Sequence, residues 1–576
     1  MKASSQMVLC ILYMVIYMRH TSNLEHAIKF ASEHVTGPLS LDLRKIFWDI
    51  QTGKYSTIKE SLDSYLQRWR DTNLEFVESF HMIEGSLLES SNDRRVEMLE
   101  KSLDVILDGT YNKMMHFTQE LKNPITMLNM LGVVLPILGL IMFPLIGSLM
   151  DGSSFMKILI LFLLYNIFIP LTVLLIGMNV LSKRPTGYSE IDIVKENPQY
   201  KKYQNILFNV GKKEISINPI IFSLLIFLVL MFIGVTPLLM NYLNVSDFEF
   251  MGGMMFLDYK NANGLVCGLG ETCYGPFGVG AVLFSLFATL SLSFALWIYF
   301  VIRTNKLIII RDETKKLEFE FSSALFQLGN RVGDGVPVEV AVEDISANFQ
   351  GTSTGNFFSM ISSNINNLGM GLREAIFGEN GAIKNYPSNL IKSSMEVLIE
   401  SSRKGPEVVA KSMVSVSNYV NKIKQVNERL KDLLADVLSS MKGQIGFLTP
   451  IISGIVVGIS SMIVLILGKL TGVLNQQTLQ SSASGASVGD FSSMIQLFKI
   501  ENMIPSYHLQ IVVGLFLVEI IIILTILVSG LEFGEDKLKE RNGIGKNLFK
   551  GGLLYFIVAF ITTIIFAGLA ININLL

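Results

Sequence analysis

The residue with most chemical potential in this chain is Glu519, which stands near the middle of the apolar run Val512 to Leu527. At membrane depth an ionised carboxylate is costly, and intramembrane acids by default mark a path or binding point for a cation or proton. The plainer reading is a protonated glutamate hydrogen-bonded to a neighbouring span. Gly543-Ile544-Gly545-Lys546 ends like a phosphate-cradling loop, but Glu540 stands where the first glycine belongs and Asn547 replaces the hydroxyl residue. The six histidines include no HExxH pair, and His20, His26 and His34 lack regular ligand spacing. No GxSxG nucleophile turn lies between a strand and a helix. The expectation is a protein that is not an enzyme, with no cofactor and no metal. Three cysteines are too few for a disulfide scaffold. Cys267 and Cys273 are either a small disulfide loop or a free pair.

Half of the 576 residues are hydrophobic and only 17% are charged, a balance too apolar for an ordinary soluble chain. The net charge of −2 gives no basic face for nucleic acid. A bilayer core about 30 Å thick takes about 20 apolar helical residues, and seven stretches meet that length: 127–149, 156–181, 218–242, 278–302, 447–468, 509–530 and 551–574. Met7 to Met18 is apolar but too short to span, and no small-residue cleavage pattern follows it at Arg19-His20-Thr21-Ser22. A buried amphipathic helix is expected there.

Lysine and arginine near the span ends set orientation. The connector 182–217 carries Lys183, Arg184, Lys195, Lys201, Lys202, Lys212 and Lys213, and 531–550 carries Lys537, Lys539, Arg541, Lys546 and Lys550. The loops 243–277 and 469–508 hold just Lys260, Lys469 and Lys499. Alternation then puts the N-terminus and both long polar regions in the cytoplasm and the C-terminus outside. The exterior loop also carries the glycosylation pattern Asn244-Val245-Ser246.

The two polar regions repeat one another. Leu24-Glu25-His26-Ala27-Ile28 and Ile58-Lys59-Glu60-Ser61-Leu62 correspond to Val338-Glu339-Val340-Ala341-Val342 and Leu372-Arg373-Glu374-Ala375-Ile376, each 314 positions later. Leu88-Glu89-Ser90-Ser91 matches Ile399-Glu400-Ser401-Ser402 at an offset near 311, and Pro136-Ile137 matches Pro450-Ile451 at 314. Apolar residues recur every three or four positions, as along Val420, Ile423, Val426, Leu430, Leu433, Leu434 and Val437, which makes one helical face apolar. The expected architecture is an all-α integral membrane protein with seven transmembrane helices and two duplicated cytoplasmic helical bundles. In order these are bundle 1–126, spans 127–181, basic connector 182–217, spans 218–303, bundle 304–446 and spans 447–576.

Gly329-Asn330-Arg331-Val332-Gly333-Asp334-Gly335-Val336-Pro337-Val338-Glu339-Val340-Ala341 resembles the opening helix, glycine turn and second helix of the type II secretion F family. That family includes the membrane platforms of type IV pili and the archaellum. Glu400-Ser401-Ser402 through Lys411-Ser412 is similar to its paired-helix segment leading into a span. The first copy departs from the pattern, with Thr21-Ser22-Asn23 in place of Gly335-Val336-Pro337. The seven spans are similar to the longer archaeal members. The resemblance implies a non-enzymatic platform in the cell membrane, a homodimer by analogy, whose partners are a hexameric assembly ATPase, pilin-like or archaellin-like subunits and lipid.

On that reading Lys59, Glu60, Glu89, Arg373, Glu374 and Glu400 are candidate ATPase-docking charges, against the alternative of a solvated helix face. Glu519 is the candidate receiver of a cationic group, such as the amino terminus of a processed subunit. The rival function is a secondary transporter using Glu519, although transporters carry their repeats inside the membrane.

Overall fold

The computed structural model describes residues 2–35, 38–150, 152–184, 198–210, 213–243, 247–250, 254–261, 267, 273–484, 500–534 and 536–572. The Asn244-Val245-Ser246 pattern lies outside them. Helices α1 to α5 (Lys2–His20, Leu24–His34, Pro38–Gln51, Ile58–Gln67, Leu74–Gly85) precede a long rod of α6 (Asn92–Asn129), one π turn (Met130–Val134) and α7 (Leu135–Leu149). A second rod is α8 (Ser154–Leu163), a π turn (Leu164–Phe168) and α9 (Ile169–Ser182), and α10 (Ile220–Tyr242) follows the connector. Helix α11 (Val279–Gly333) is a single 55-residue run, about 80 Å long at 1.5 Å per residue. Then come α12 to α15 (Val338–Asn348, Ser353–Leu368, Leu372–Phe377, Asn389–Ser402), α16 (Pro406–Gly443), a π turn (Gln444–Leu448) and α17 (Thr449–Ser484). The last two helices are α18 (Ser506–Phe533) and α19 (Lys537–Asn572).

Among the described residues, seven helices are long and apolar enough to cross a membrane, consistent with a multi-pass membrane protein. They match the seven stretches expected from hydropathy, with 218–242 and 278–302 beginning one or two residues before their helices and the end of 551–574 lying outside the described residues. Three of them do not stop at the membrane. The α6–α7, α11 and α16–α17 rods carry polar turns beyond their apolar windows, so the expected boundaries at 126, 303 and 446 fall inside continuous helices. The all-helical expectation has two small exceptions, antiparallel pairs of β1 (Ile206–Val210) with β2 (Lys213–Ile217) and β3 (Glu249–Phe250) with β4 (Met254–Met255). Ile215 and Ile217 alternate with Glu214 and Ser216, a two-residue period that suits a strand and not a helix.

The polar regions at 1–126 and 304–446 share one hydrophobic core, which joins Phe76, Phe80 and Leu103 to Phe321, Phe357 and Met395. At its centre lies α1. Its expected amphipathic character is not observed: Met7, Cys10, Ile11, Met14 and Met18 on one side and Leu9, Leu12, Val15 and Ile16 around the other are all buried, none more than 8% exposed. A helix apolar on every side has to be enclosed, and here both polar regions enclose it. The buried Ser393 hydroxyl in α15 donates to the Tyr13 hydroxyl at 2.6 Å. Lys422 of α16 pairs with Asp104 of α6 at 2.6 Å, so the two 38-residue helices also meet directly.

Helix limits recur at one spacing. Leu24–His34 and Val338–Asn348, Asn92–Asn129 and Pro406–Gly443, and the π turns Met130–Val134 and Gln444–Leu448 each stand 314 positions apart. The turns before α2 and α12 are closed by different chemistry. The Asn23 side chain accepts from the His26 N–H at 3.1 Å, whereas before α12 Gly335 takes φ +92° and Pro337 occupies the cap position without a side-chain bond. A positive φ is inexpensive only for glycine, so each sequence has its own workable solution at the same place.

Candidate functional site

A proline has no N–H to give the carbonyl four residues back, and its ring collides with that carbonyl. Pro136, Pro170 and Pro450 each follow a π turn by two residues, and the carbonyls they would strike belong to Gly132, Asn166 and Gly446. The widened turn shifts the bonding by one residue: Leu135, Ile169 and Thr449 donate to Met130, Leu164 and Gln444, five positions back. Such π turns cluster at functional sites and are natural bending points.

Two of these turns, 164–168 and 444–448, pack on α18. This is the most enclosed span, with 72% of its apolar window buried against 17% for α10. Glu519 lies along α18 between two contacts that fix its level. Phe516 meets Tyr165 edge-on with ring centroids 5.9 Å apart. Ile521 reaches Gly551, beside Pro450 and the Ile445 carbonyl, where a Cβ would come within 2.7 Å of the isoleucine. Glu519 Oε2 is buried and accepts no hydrogen bond among the described residues.

The same is true of both amide atoms of Asn166 and of Gln444, and of the Thr449 and Ser453 hydroxyls. A buried polar group left unpaired costs about 1–3 kcal/mol, so several of them at two proline π turns is not what packing alone favours. The arrangement leaves a carboxylate oxygen on α18 able to accept a positive group, and unpaired amide and hydroxyl atoms in or just after two π turns that pack on the same helix. Elsewhere on α18 the His508 Nδ1, the Gln510 Oε1 and the Ser529 hydroxyl are likewise buried without a partner among the described residues, while other polar groups are paired. Gln510 donates to Thr289 at 3.1 Å and Tyr555 at 3.3 Å, and Asn547 of α19 donates to Thr525 at 3.0 Å. Sequence reading singles out Glu519 and not Asn166 or Gln444, whose available signal is a polar residue four or six positions before a proline in an apolar run.

The expected docking charges fall in separate places. Lys59 and Glu60 are exposed at the start of α4, where Glu60 accepts from the Ser56 N–H at 3.1 Å and the Thr57 hydroxyl accepts from the Glu60 N–H at 3.3 Å. Glu60 thus has a capping role of its own. Arg373 and Glu400 are brought together: Arg373 lies 3.7 Å from Glu396 and 3.9 Å from Glu400, and Glu400 lies 3.6 Å from Arg403. Glu374 is exposed beside them in sequence. Glu89 stands in the turn between α5 and α6, while Glu400 stands in the last turn of α15, so the two do not occupy the same helical position.

Cys267 and Cys273 are joined in a disulfide, and Cys10 is fully buried in α1, where burial pushes its thiol well above the usual range. Native, unreduced protein is therefore expected to take up no maleimide. Mild reduction should add two labels and unfolding a third, read as intact mass; labelling of Cys10 before unfolding contradicts the enclosed α1.

No family model matches the chain, and neither do any curated protein sequences or solved structures.

Proposed function

We propose that this chain is the membrane platform of a type IV filament assembly machine, coupling a cytoplasmic hexameric ATPase to the insertion of prepilin-like subunits. The observation that carries the reading is mechanical. Three continuous helical rods leave one shared bundle and enter the apolar layer, and two of them, α6–α7 and α16–α17, cross a proline π turn as they do so. A push on the bundle would reach the membrane through continuous helix and would bend the rods at their proline π turns, one of which, 444–448, packs on the helix that carries Glu519.

The helix limits at a common spacing of 314 support descent of the two bundle segments from a duplicated unit. The lysine and arginine bias supports a cytoplasmic bundle and an exterior loop at 243–277. The shared core makes the full chain, not residues 304–446 alone, the correct bait. Detergent-solubilised full-length protein is expected to retain a secretion-type ATPase encoded beside it, and the pair Arg373→Glu and Glu400→Arg to weaken that retention about tenfold or more, as expected for losing about 1.4 kcal/mol or more of charge complementarity. Equal retention by the variant removes these residues from the docking surface, and absence of any ATPase removes the reading. A transporter, the second reading, is favoured by the unpartnered Glu519; proton-coupled uptake into vesicles with no ATPase bound would establish it instead.

A further inference from the structure

Away from the apolar layer, α4 and α5 bring Asp63, His81 and Glu84 together, with one ligand atom from each lying within 4.8 Å of the others. His81 and Glu84 are three residues apart on α5 and so share a face. Their Nδ1 and Oε2 atoms stand 3.1 Å apart. That is the distance between neighbouring donors on one ion when each bond is about 2.0–2.2 Å.

A hydrogen bond alone would give the same distance, but Glu84 has a further property. Its side chain is only 9% exposed, and its second oxygen, Oε1, is enclosed and accepts nothing among the described residues. Burying a carboxylate with half its acceptor capacity unused is unfavourable unless a cation takes it up. Asp63 adds a second negative charge, and among the described residues no lysine or arginine pairs with any of the three.

We propose that Asp63, His81 and Glu84 bind one divalent first-row transition ion of the zinc or manganese class, clamping α4 to α5. The imidazole nitrogen selects against magnesium and calcium, which prefer all-oxygen shells. Binding displaces the proton between His81 and Glu84, lets both Glu84 oxygens face the ion and leaves outer positions to water. His81 is 54% exposed, which gives the ion a way in and lets the ring adjust. The inference is independent of the platform reading. It gives the bundle a metal-dependent strut directly behind the exposed Lys59 and Glu60 turn.

The test uses tag-free, full-length protein in detergent, stripped with chelator, dialysed against Zn²⁺ or Mn²⁺ and analysed for bound metal by mass spectrometry alongside thermal unfolding. One equivalent per chain is expected, with unfolding moved to higher temperature by Zn²⁺ or Mn²⁺ and not by Mg²⁺. His81→Ala and Asp63→Asn should each weaken binding tenfold or more and abolish the thermal shift while unfolding at the temperature of the stripped parent. Because His81 is exposed, its variant keeps the fold and the result stays interpretable even where Glu84→Gln does not fold. Retention of no stoichiometric metal by the parent, or equal retention by His81→Ala and Asp63→Asn, overturns the proposal.

Discussion

Asp536→Ala is expected to destabilise the protein by about 3–5 kcal/mol, the usual result of removing one partner from a buried ion pair. Arg311 and Asp536 meet at 2.7 Å with side chains 7% and 1% exposed. Arg311 belongs to α11 just beyond its apolar stretch, and Asp536 sits in the turn between α18 and α19. The pair therefore bolts the bundle end of one rod to the hairpin of the last two spans. Asp536 also caps α19, accepting from the Leu538 and Lys539 N–H groups at 3.1 Å each, a further contribution of about 1 kcal/mol.

Asp536→Asn separates the two roles, since the amide oxygen can still cap while the charge is gone. The reciprocal control is Arg311→Met with Asp536→Leu, because replacing both members of a buried pair by apolar groups of similar size is often close to neutral. Thermal unfolding in detergent should rank the parent and the double variant above Asp536→Asn, with Asp536→Ala lowest. A single Asp536→Ala variant as stable as the parent would mean that water reaches the guanidinium, contrary to its burial.

That pair lies 225 positions apart in the chain, and its invisibility in the sequence is instructive. Spans are legible because each is specified by a local run of apolar residues, and among the described residues each of the seven runs falls almost entirely on one long apolar helix. The common spacing of the helix limits is legible because helix starts and stops are local too, down to the matching places of Pro136 and Pro450. What depends on which surfaces meet is not local. Met7 to Met18 could be read as enclosed, but not that both polar regions would enclose it. Tyr13 and Ser393, Lys422 and Asp104, and Arg311 and Asp536 are ordinary residues until the fold pairs them. The grouping of Asp63, His81 and Glu84 escapes sequence reading for a related reason: His81-x-x-Glu84 is a weak pattern, and the third member, Asp63, is on another helix.

Glu519→Gln is expected to abolish filament assembly while leaving the protein inserted at parental levels and unfolding at the parental temperature. Glutamine keeps the volume and the polarity of the side chain but can no longer offer a negative charge. If Glu519 receives a cationic group of an incoming subunit, losing that charge should remove about 2 kcal/mol or more of the attraction, roughly thirtyfold in occupancy at this step. Glu519→Leu distinguishes this role from a structural one. Oε2 has no partner to lose among the described residues, so leucine should be tolerated or slightly stabilising, since an apolar side chain in an apolar span carries no desolvation cost. Both variants should then share one phenotype, an intact platform without filaments. Destabilised Glu519→Leu with normal filaments in Glu519→Gln would instead assign the residue to holding the spans together, and would leave the proline turns beside it without a cargo to respond to.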